Sequence, residues 1–295
     1  MNVVADVPLN MLDAEQILTL EQIGELKFRN VHNQDNYMGL IFGGQLIGQS
    51  LAAAQRTVDN RPVHSCSGQF LRGGQLDQPL DFDVERVRDG RRFSARRVIA
   101  SQAGHPVFDL LCSFHATEPG VSHNFERGSD TTPTDPDNLI ELREFALSNR
   151  DRLSGNLVAI YSSEFPVEIR LDDPEDALFG GGLKAERNFW FRMKSASAVA
   201  CAHDQNCLLA FMSDYWFASV AGAMHRATQP GKLVKLASLN HSLWFHAPVS
   251  VDQWLLFRTD SPWAGSSRGL VRGSIYDRDG ALIASAAQEI LLTSL

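Results

Sequence analysis

The sequence lacks the features that mark several large classes of protein. No apolar run approaches the roughly 20 residues of a membrane span, and the segment from Met1 to Leu12 has neither the basic start nor the apolar stretch of a signal peptide. The formal net charge is -8, so the chain lacks the excess of basic residues that recruits nucleic acid. We therefore expect a cytoplasmic protein with no membrane span and no nucleic-acid partner.

Cysteine is also scarce. Cys66, Cys112, Cys201 and Cys207 form no Cys-x-x-Cys motif and no spacing typical of disulfides or zinc, so we expect reduced, buried thiols. The chain has no Walker A loop, no Gly-x-Gly-x-x-Gly and no His-Glu-x-x-His. Nucleotide hydrolysis, dinucleotide redox chemistry and zinc proteolysis thus have no direct support, and we expect no cofactor and no metal.

What the sequence does contain is a weak internal repeat. A strand ending at Gln69 to Arg72 recurs at Leu243 to His246, and each copy is followed by further strands. The 295 residues, of which 44% are hydrophobic, suffice for two cores. We predict an N-terminal half over residues 1–118, a linker over 119–156 and a C-terminal half over 157–295 that carries the chemistry.

Each half is predicted to contain one long helix and an antiparallel meander. Helical spacing of apolar residues marks Gly44–Val58, which is rich in Gly, Ala and Ser, and Leu208–Arg226. The small side chains of the first helix would let a curved sheet wrap closely around it. Asp89-Gly90 predicts a hairpin with a type I′ turn. Strand patterns cover His64–Leu71, Leu80–Val87, Phe93–Ser101, Val107–Ala116, Val167–Leu171, Arg187–Lys194, Val234–Phe245, Gln253–Thr259, Ser267–Asp277 and Leu282–Leu292.

Two positions invite a chemical interpretation. Asp214 lies among aromatic residues, where an ionisable carboxylate is costly to bury without hydrogen bonds; the alternative is a helix N-cap formed by Ser213 or Asp214. Gly265 to Gly269 matches the Gly-x-Ser-x-Gly pattern of a nucleophile elbow at Ser267. That device needs a strand-to-helix turn, whereas this segment joins two predicted strands, so a hairpin loop is favoured.

Arginines crowd the first hairpin of this acidic chain. A solvated hairpin edge that resists sheet-to-sheet pairing is the favoured interpretation, and binding of ligand phosphates is the alternative. The arginines are Arg86, Arg88, Arg91, Arg92, Arg96 and Arg97.

Over nearly its whole length the chain resembles the acyl-CoA thioesterase II family. The matching segments are Phe42-Gly43-Gly44-Gln45, Phe70-Leu71-Arg72, Arg88-Asp89-Gly90, Phe93 to Arg97, Ser213-Asp214, His241 to His246 with Pro248, and Ala287-Gln288-Glu289. The resemblance implies an α+β double hotdog, in which two antiparallel sheets each wrap around a long central helix. It also implies hydrolysis of fatty acyl-CoA and assembly into a homodimer or homotetramer.

The resemblance further implies a catalytic set of Asp214, Ser238 and Gln288, which would hold a water for attack on the thioester. Many relatives have Thr at the position of Ser238, and the hydroxyl is retained here. The first half offers glutamines instead of an acid, so one active site per chain is expected. An amide at the start of the first helix, from Gly44 or Gln45, is the predicted donor to the thioester oxyanion.

The sequence leaves two other functions on the same fold open. A hotdog hydratase would act on the same class of substrate, but it needs an Asp/His pair in a loop that is missing from this sequence. A non-catalytic acyl-CoA binding protein is the second alternative, because a fold alone does not give a function. Asp214 could also attack the thioester itself and form a mixed anhydride.

Overall fold

The structure is a computed structural model that describes residues 9–36, 38–123, 133–153, 155–180, 184–228 and 234–294. Within these ranges the helices are α1 Ala14–Leu18, α2 Gly43–Gln55, α3 Leu142–Ser148, α4 Gly155–Ser162, α5 Pro174–Phe179, α6 Ala202–Met212 and α7 Ser219–Thr228. The strands are β1 Leu20–Gly24, β2 Lys27–Asn30, β3 Val63–Phe70, β4 Asp81–Asp89, β5 Phe93–Gln102, β6 His105–His115, β7 Glu168–Arg170, β8 Glu186–Arg192, β9 Val234–Ser238, β10 Asn240–Phe245, β11 Leu255–Gly265, β12 Arg268–Tyr276 and β13 Leu282–Ser294. None of these helices is long and apolar enough to cross a membrane.

The strands of the described ranges form one antiparallel sheet. Its order is β1-β2-β4-β5-β6-β3-β10-β13-β12-β11-β8-β7, and β9 pairs with β13 outside this path. Strands β3 and β10 join the two halves, with Ser67 opposite Ser242. The two predicted half-sheets are therefore continuous through hydrogen bonds between their central strands.

Helix α2 packs against both the sheet and α6. All of its residues from Gly44 to Gln55 are buried. A Cβ on Gly44 would lie 2.3 Å from the Phe211 carbonyl oxygen, and one on Gly48 would lie 2.9 Å from the Cys207 carbonyl oxygen. These glycines let the backbones of α2 and α6 approach closely. Gly44 and Gly48 therefore serve the contact with α6, while the helix also packs against strands β2 to β6 of the sheet, as the sequence predicted.

The prediction of one long helix over Leu208–Arg226 is wrong. The chain forms α6 and α7, separated by a turn over residues 213–218. Trp216 in this turn has φ 62°, in the left-handed region that a right-handed helix does not contain. Ser213 follows the last residue of α6 as its C-cap. Asp214 therefore lies in the turn, and the N-cap alternative for these two residues is also wrong.

Two hairpins test the turn predictions. Asp89-Gly90 does lie at a hairpin between β4 and β5, but Gly90 is not among the residues with positive φ, so the predicted type I′ turn is wrong. Ser266 and Ser267 connect β11 to β12 with φ 49° and 57°, as a type I′ turn requires. The elbow-like match at Ser267 is therefore a hairpin loop between strands.

All four cysteines are free thiols. Cys66, Cys112 and Cys207 are buried, as predicted, and burial raises the pKa of the Cys66 thiol to about 12. Cys201 is exposed, because it precedes the first residue of α6 at the surface, so its predicted burial is wrong. Within the described ranges, no group of three or more His, Cys, Asp and Glu side chains could hold a metal ion.

Candidate active site

Asp214 lies where the turn after α6 meets the N-terminus of α2. The Gly44 backbone amide acts to lower the pKa of the Asp214 carboxyl group, at the end of the helix where the backbone dipoles favour negative charge. A Cβ on Gly43 would lie 2.5 Å from Asp214 Oδ2, so a residue without a side chain is needed there. Gly43 of the Phe42 to Gln45 motif thus makes room for the carboxylate at the N-terminus of α2.

Gln288 on β13 connects the other two residues of the catalytic set implied by the resemblance. Its side chain is fully buried, and its Nε2 donates to Asp214 Oδ1 at 3.1 Å and to Ser238 Oγ at 2.6 Å. Asp214 and Ser238 both keep part of their surface accessible, as groups that meet a substrate must. The fold therefore brings Asp214, Ser238 and Gln288 together from three separate segments of the chain.

A break in the sheet places Ser238 at this site. The sequence predicted one strand over Val234–Phe245, but β9 ends at Ser238 and β10 begins two residues later. Ser238 pairs with Ile290 and Ser242 pairs with Ala287. The chain therefore advances by four residues from β9 to β10 where the partner strand β13 advances by three. This extra residue has the character of a β-bulge, a feature that re-aims side chains near active sites.

The bulge has a direct consequence for side-chain direction. Residues three apart on a regular strand point to opposite faces of the sheet. Ser238 and His241 nevertheless both contact the side chain of Gln288, because the chain between them contains the extra residue. A prediction based on regular alternation places these two side chains on opposite faces.

His241 is the residue of the site that sequence reasoning missed. It is 1% exposed, its Nδ1 lies 2.6 Å from Gln288 Oε1, and its Nε2 lies 2.9 Å from Ser213 Oγ. A signal was available in the sequence. His241 alternates with Leu243 on the inward face of β10, and a buried polar side chain requires hydrogen-bond partners.

Burial has opposite effects on the two ionisable groups of the site. It raises the pKa of Asp214, while His241, the Gln288 amide and the Gly44 amide act in the opposite direction. It lowers the pKa of His241, against the attraction of the Asp214 charge and the hydrogen bond to Gln288. The site therefore contains a carboxylate that is more basic than usual, next to an imidazole that favours its neutral form. A carboxylate with a raised pKa is a stronger base than an exposed one, which suits proton abstraction from a water.

Glutamines occupy the matching helix of the first half. Gln45 Oε1 accepts from the Gln34 backbone amide at 2.6 Å, and Gln45 Nε2 donates to Gln49 Oε1 at 2.9 Å. Gln34 Nε2 in turn donates to the Tyr215 hydroxyl at 2.6 Å, next to Asp214 in sequence. These side chains form a buried polar chain between α2 and the turn after α6. One active site per chain stays a prediction.

The two amides predicted to bind the thioester oxyanion differ in their surroundings. The Gln45 amide donates to the Phe42 carbonyl at 3.1 Å, whereas the Gly44 amide lies at the N-terminus of α2 near Asp214 and acts to lower the pKa of that carboxyl group. Donation to the oxyanion by one of these amides stays a prediction.

Five of the six arginines of the first hairpin are exposed, as predicted, and Arg96 is the exception. Arg96 is 2% exposed and donates to Thr57 Oγ1 at 2.8 Å and to Asp89 Oδ1 at 2.9 Å. Arg97 is exposed and pairs with Asp109 at 2.7 Å. Arg96 thus ties the hairpin to the end of α2, whereas Arg97 fits the predicted solvated surface. The hydrogen bonds of these two arginines favour a structural role over phosphate binding.

Comparison with protein families gives two matches that together cover most of the chain. A model described as acyl-CoA thioesterase N-terminal domain matches residues 33–115, and one described as acyl-CoA thioesterase C-terminal domain matches residues 145–292. Mouse acyl-coenzyme A thioesterase 8 is 36% identical over 280 residues, which cover 92% of this chain and 86% of that protein. Acyl-CoA thioesterase 2 of Haemophilus influenzae is 34% identical and covers 94% of this chain and 95% of that protein.

Solved structures of other proteins share the fold of this chain. The crystal structure of an acyl-CoA thioesterase II from Mycobacterium marinum superposes with a TM-score of 0.74 at 34% identity, covering 96% of this chain and 98% of the other. A protein with a hot dog fold from Alicyclobacillus acidocaldarius superposes with a TM-score of 0.73 at 16% identity, covering 96% of this chain and 98% of the other. These structures confirm the predicted double hotdog fold.

Proposed function

Because this chain belongs to the acyl-CoA thioesterase II family and is an acyl-CoA hydrolase, we propose that it cleaves fatty acyl-CoA to a free fatty acid and CoA. We propose further that a single water, held by Asp214, Ser238 and Gln288, attacks the thioester carbonyl directly. Family membership favours hydrolysis over the hydratase and the non-catalytic binding protein that the sequence left open. A cytoplasmic location, assembly into homodimers or homotetramers, and the division at residues 118 and 156 stay predictions.

One observation carries the mechanistic proposal: both donors of the Gln288 amide are used at the site. One reaches Asp214 Oδ1 at 3.1 Å and the other reaches Ser238 Oγ at 2.6 Å. A glutamine amide has two N–H donors, so Gln288 holds the carboxylate and the hydroxyl at the same time. A water in contact with both groups would then be fixed on the accessible side of the pair.

The proposed reaction starts with proton transfer. Asp214 accepts a proton from the water as the water oxygen forms a bond to the thioester carbon, and the carbonyl oxygen becomes an oxyanion. The oxyanion then reforms the carbonyl, and the bond from carbon to sulfur breaks. The departing thiolate of CoA takes the proton from Asp214. One water is consumed, and one carboxylic acid and one thiol are formed.

Ser238 has a free donor for this reaction. Its Oγ accepts a hydrogen bond from Gln288, so its own hydroxyl proton can point to another acceptor. Donation to the water oxygen would orient that water with one proton toward Asp214. The hydroxyl of a threonine could do the same, which agrees with the residue implied by the resemblance.

Replacement of the carboxylate tests the proposal. We expect Asp214→Asn to fold normally and to lower turnover by about 10²–10⁴-fold, because the amide cannot accept the proton. Thiol release from a series of acyl-CoAs gives the rate, and circular dichroism verifies the fold. The matched control is Asp204→Asn, the same chemical change on α6 outside the site, which should keep full activity. Turnover of Asp214→Asn equal to that of the unmodified protein would refute the role of Asp214.

A further inference from the structure

His241 has no role in the reaction proposed above, yet it occupies the centre of the site. Its ring is almost fully buried and is bounded on one edge by Gln288, at 2.6 Å, and on the other by Ser213, at 2.9 Å. The Phe217 ring lies edge-on at 5.8 Å between centroids. Both ring nitrogens thus have a partner in the protein, so His241 is held in one orientation.

The hydrogen-bond pattern fixes which nitrogen carries the proton. The Nε2 of Gln288 donates to Asp214 and Ser238, so its Oε1 faces His241 and can only accept. Nδ1 of His241 must therefore be the donor. The reverse orientation of the glutamine amide would set Oε1 against the carboxylate of Asp214, an arrangement without a hydrogen bond and with repulsion between oxygens.

Ser213 keeps this donor in place in either charge state of the ring. In neutral His241, Nε2 is an acceptor and the Ser213 hydroxyl can donate to it at 2.9 Å. If Nε2 is protonated, it donates to Ser213 Oγ, and the hydroxyl can turn to the Ala210 carbonyl oxygen, which also lies at 2.9 Å. The hydrogen bond from Nδ1 to Gln288 is therefore compatible with both states.

We propose that His241, held by Ser213, is a positioning residue that fixes the orientation of the Gln288 amide toward Asp214 and Ser238. This inference rests on the proposed function, because it assigns His241 an effect only through Gln288. Since neither His241 nor Ser213 has to touch the substrate, their loss should lower kcat and leave KM largely unchanged. The expected loss is about 10- to 100-fold, by analogy with the loss caused by removing the hydrogen-bond partner of a metal-binding side chain.

Two amide substitutions of His241 test whether the position of its N–H donor matters or only the presence of a polar side chain. In His241→Asn the amide nitrogen can occupy the place of Nδ1, whereas in His241→Gln the longer side chain moves it toward the place of Nε2. We expect His241→Asn to retain most of the kcat and His241→Gln to lose it. Equal activity of the two folded variants, or retention by His241→Gln alone, would overturn the proposal.

A double-mutant cycle tests whether the effect passes through Gln288. We expect His241→Gln to lower kcat in the native background and to cause no further loss in a Gln288→Met background. Ser213→Ala, which removes only one oxygen atom, provides the same test if the His241 variants do not fold; a several-fold loss should disappear in the Gln288→Met background. Equal losses in both backgrounds would overturn the positioning role. Full activity of Gln288→Met itself would instead refute the proposed function.

Discussion

At the scale of single residues, the neutral side chain of Gln288 acts on the charge of its neighbour. Its hydrogen bond to Asp214 favours the ionised carboxylate, while burial disfavours it, and burial is the larger effect. The pKa of Asp214 is therefore raised, but by less than burial alone would raise it. Activity that requires ionised Asp214 should rise with pH through this pKa.

Gln288→Met should move that pH dependence in a defined direction. Methionine has a similar length but cannot donate to the carboxylate, so the pKa of Asp214 rises further and the acid limb of kcat/KM shifts to higher pH. The measurement is the pH profile of kcat/KM for both proteins. A loss of activity with an unmoved or lowered acid limb would show that Gln288 does not stabilise the Asp214 charge.

Substitution of Ser238 tests whether the reaction needs the hydroxyl group of this side chain. We expect Ser238→Thr to stay active, because the hydroxyl is retained, and Ser238→Ala to lose about tenfold in kcat, the kinetic equivalent of one hydrogen bond of roughly 1.4 kcal/mol. Steady-state rates of the two purified variants give the comparison. Higher activity of the alanine variant would assign Ser238 a structural role only.

At the scale of elements, the contact between α2 and α6 determines the place of Asp214. Asp214 is two residues beyond the end of α6, and its Oδ2 lies against Gly43 at the start of α2. Gly44 and Gly48 allow the two helices to approach at backbone distance. Any change that separates the helices should also move the carboxylate away from Gln288.

Two glycine substitutions distinguish this contact from an ordinary helical position. Gly44→Ala would set a Cβ 2.3 Å from the Phe211 carbonyl oxygen, so we expect a loss of about 1–3 kcal/mol of stability together with reduced turnover. In Gly222→Ala on α7 the new Cβ would lie 3.4 Å from the Leu236 side chain, an ordinary van der Waals distance. This substitution should stabilise the protein by up to about 1 kcal/mol, because alanine has a higher helix propensity than glycine. Thermal or denaturant unfolding compares the two. Equal stability of both variants would contradict the close approach of α2 and α6.

At the scale of the whole molecule, periodic patterns predicted most of the fold. The strands of the first meander begin and end within two residues of their predicted bounds, because alternation along a half-buried strand is a strong local signal. The break after α6 and the bulge before His241 were not predicted. Both depend on contacts with distant segments, Asp214 with α2 and Ser238 with β13, which no local pattern encodes.

The residues of the candidate site also differ in whether the sequence alone could identify them. Asp214 was recognisable from the residues themselves, as a carboxylate within an aromatic segment. Ser238 and Gln288 were identified only through the resemblance, since a serine or a glutamine on a strand has no distinctive pattern. His241 was missed because its role depends on the orientation of another side chain, which only the three-dimensional arrangement reveals.

The central claim is that water attacks the thioester directly, and a single turnover in ¹⁸O-labelled water tests it most directly. The enzyme is mixed in excess over acyl-CoA and quenched with acid during the reaction, and the products and the intact chain are analysed by mass spectrometry. Direct attack predicts labelled oxygen in the free fatty acid, an unlabelled Asp214 and no acyl group on the protein. Label on Asp214, or an acyl group attached to any side chain, would contradict the mechanism and support a covalent intermediate.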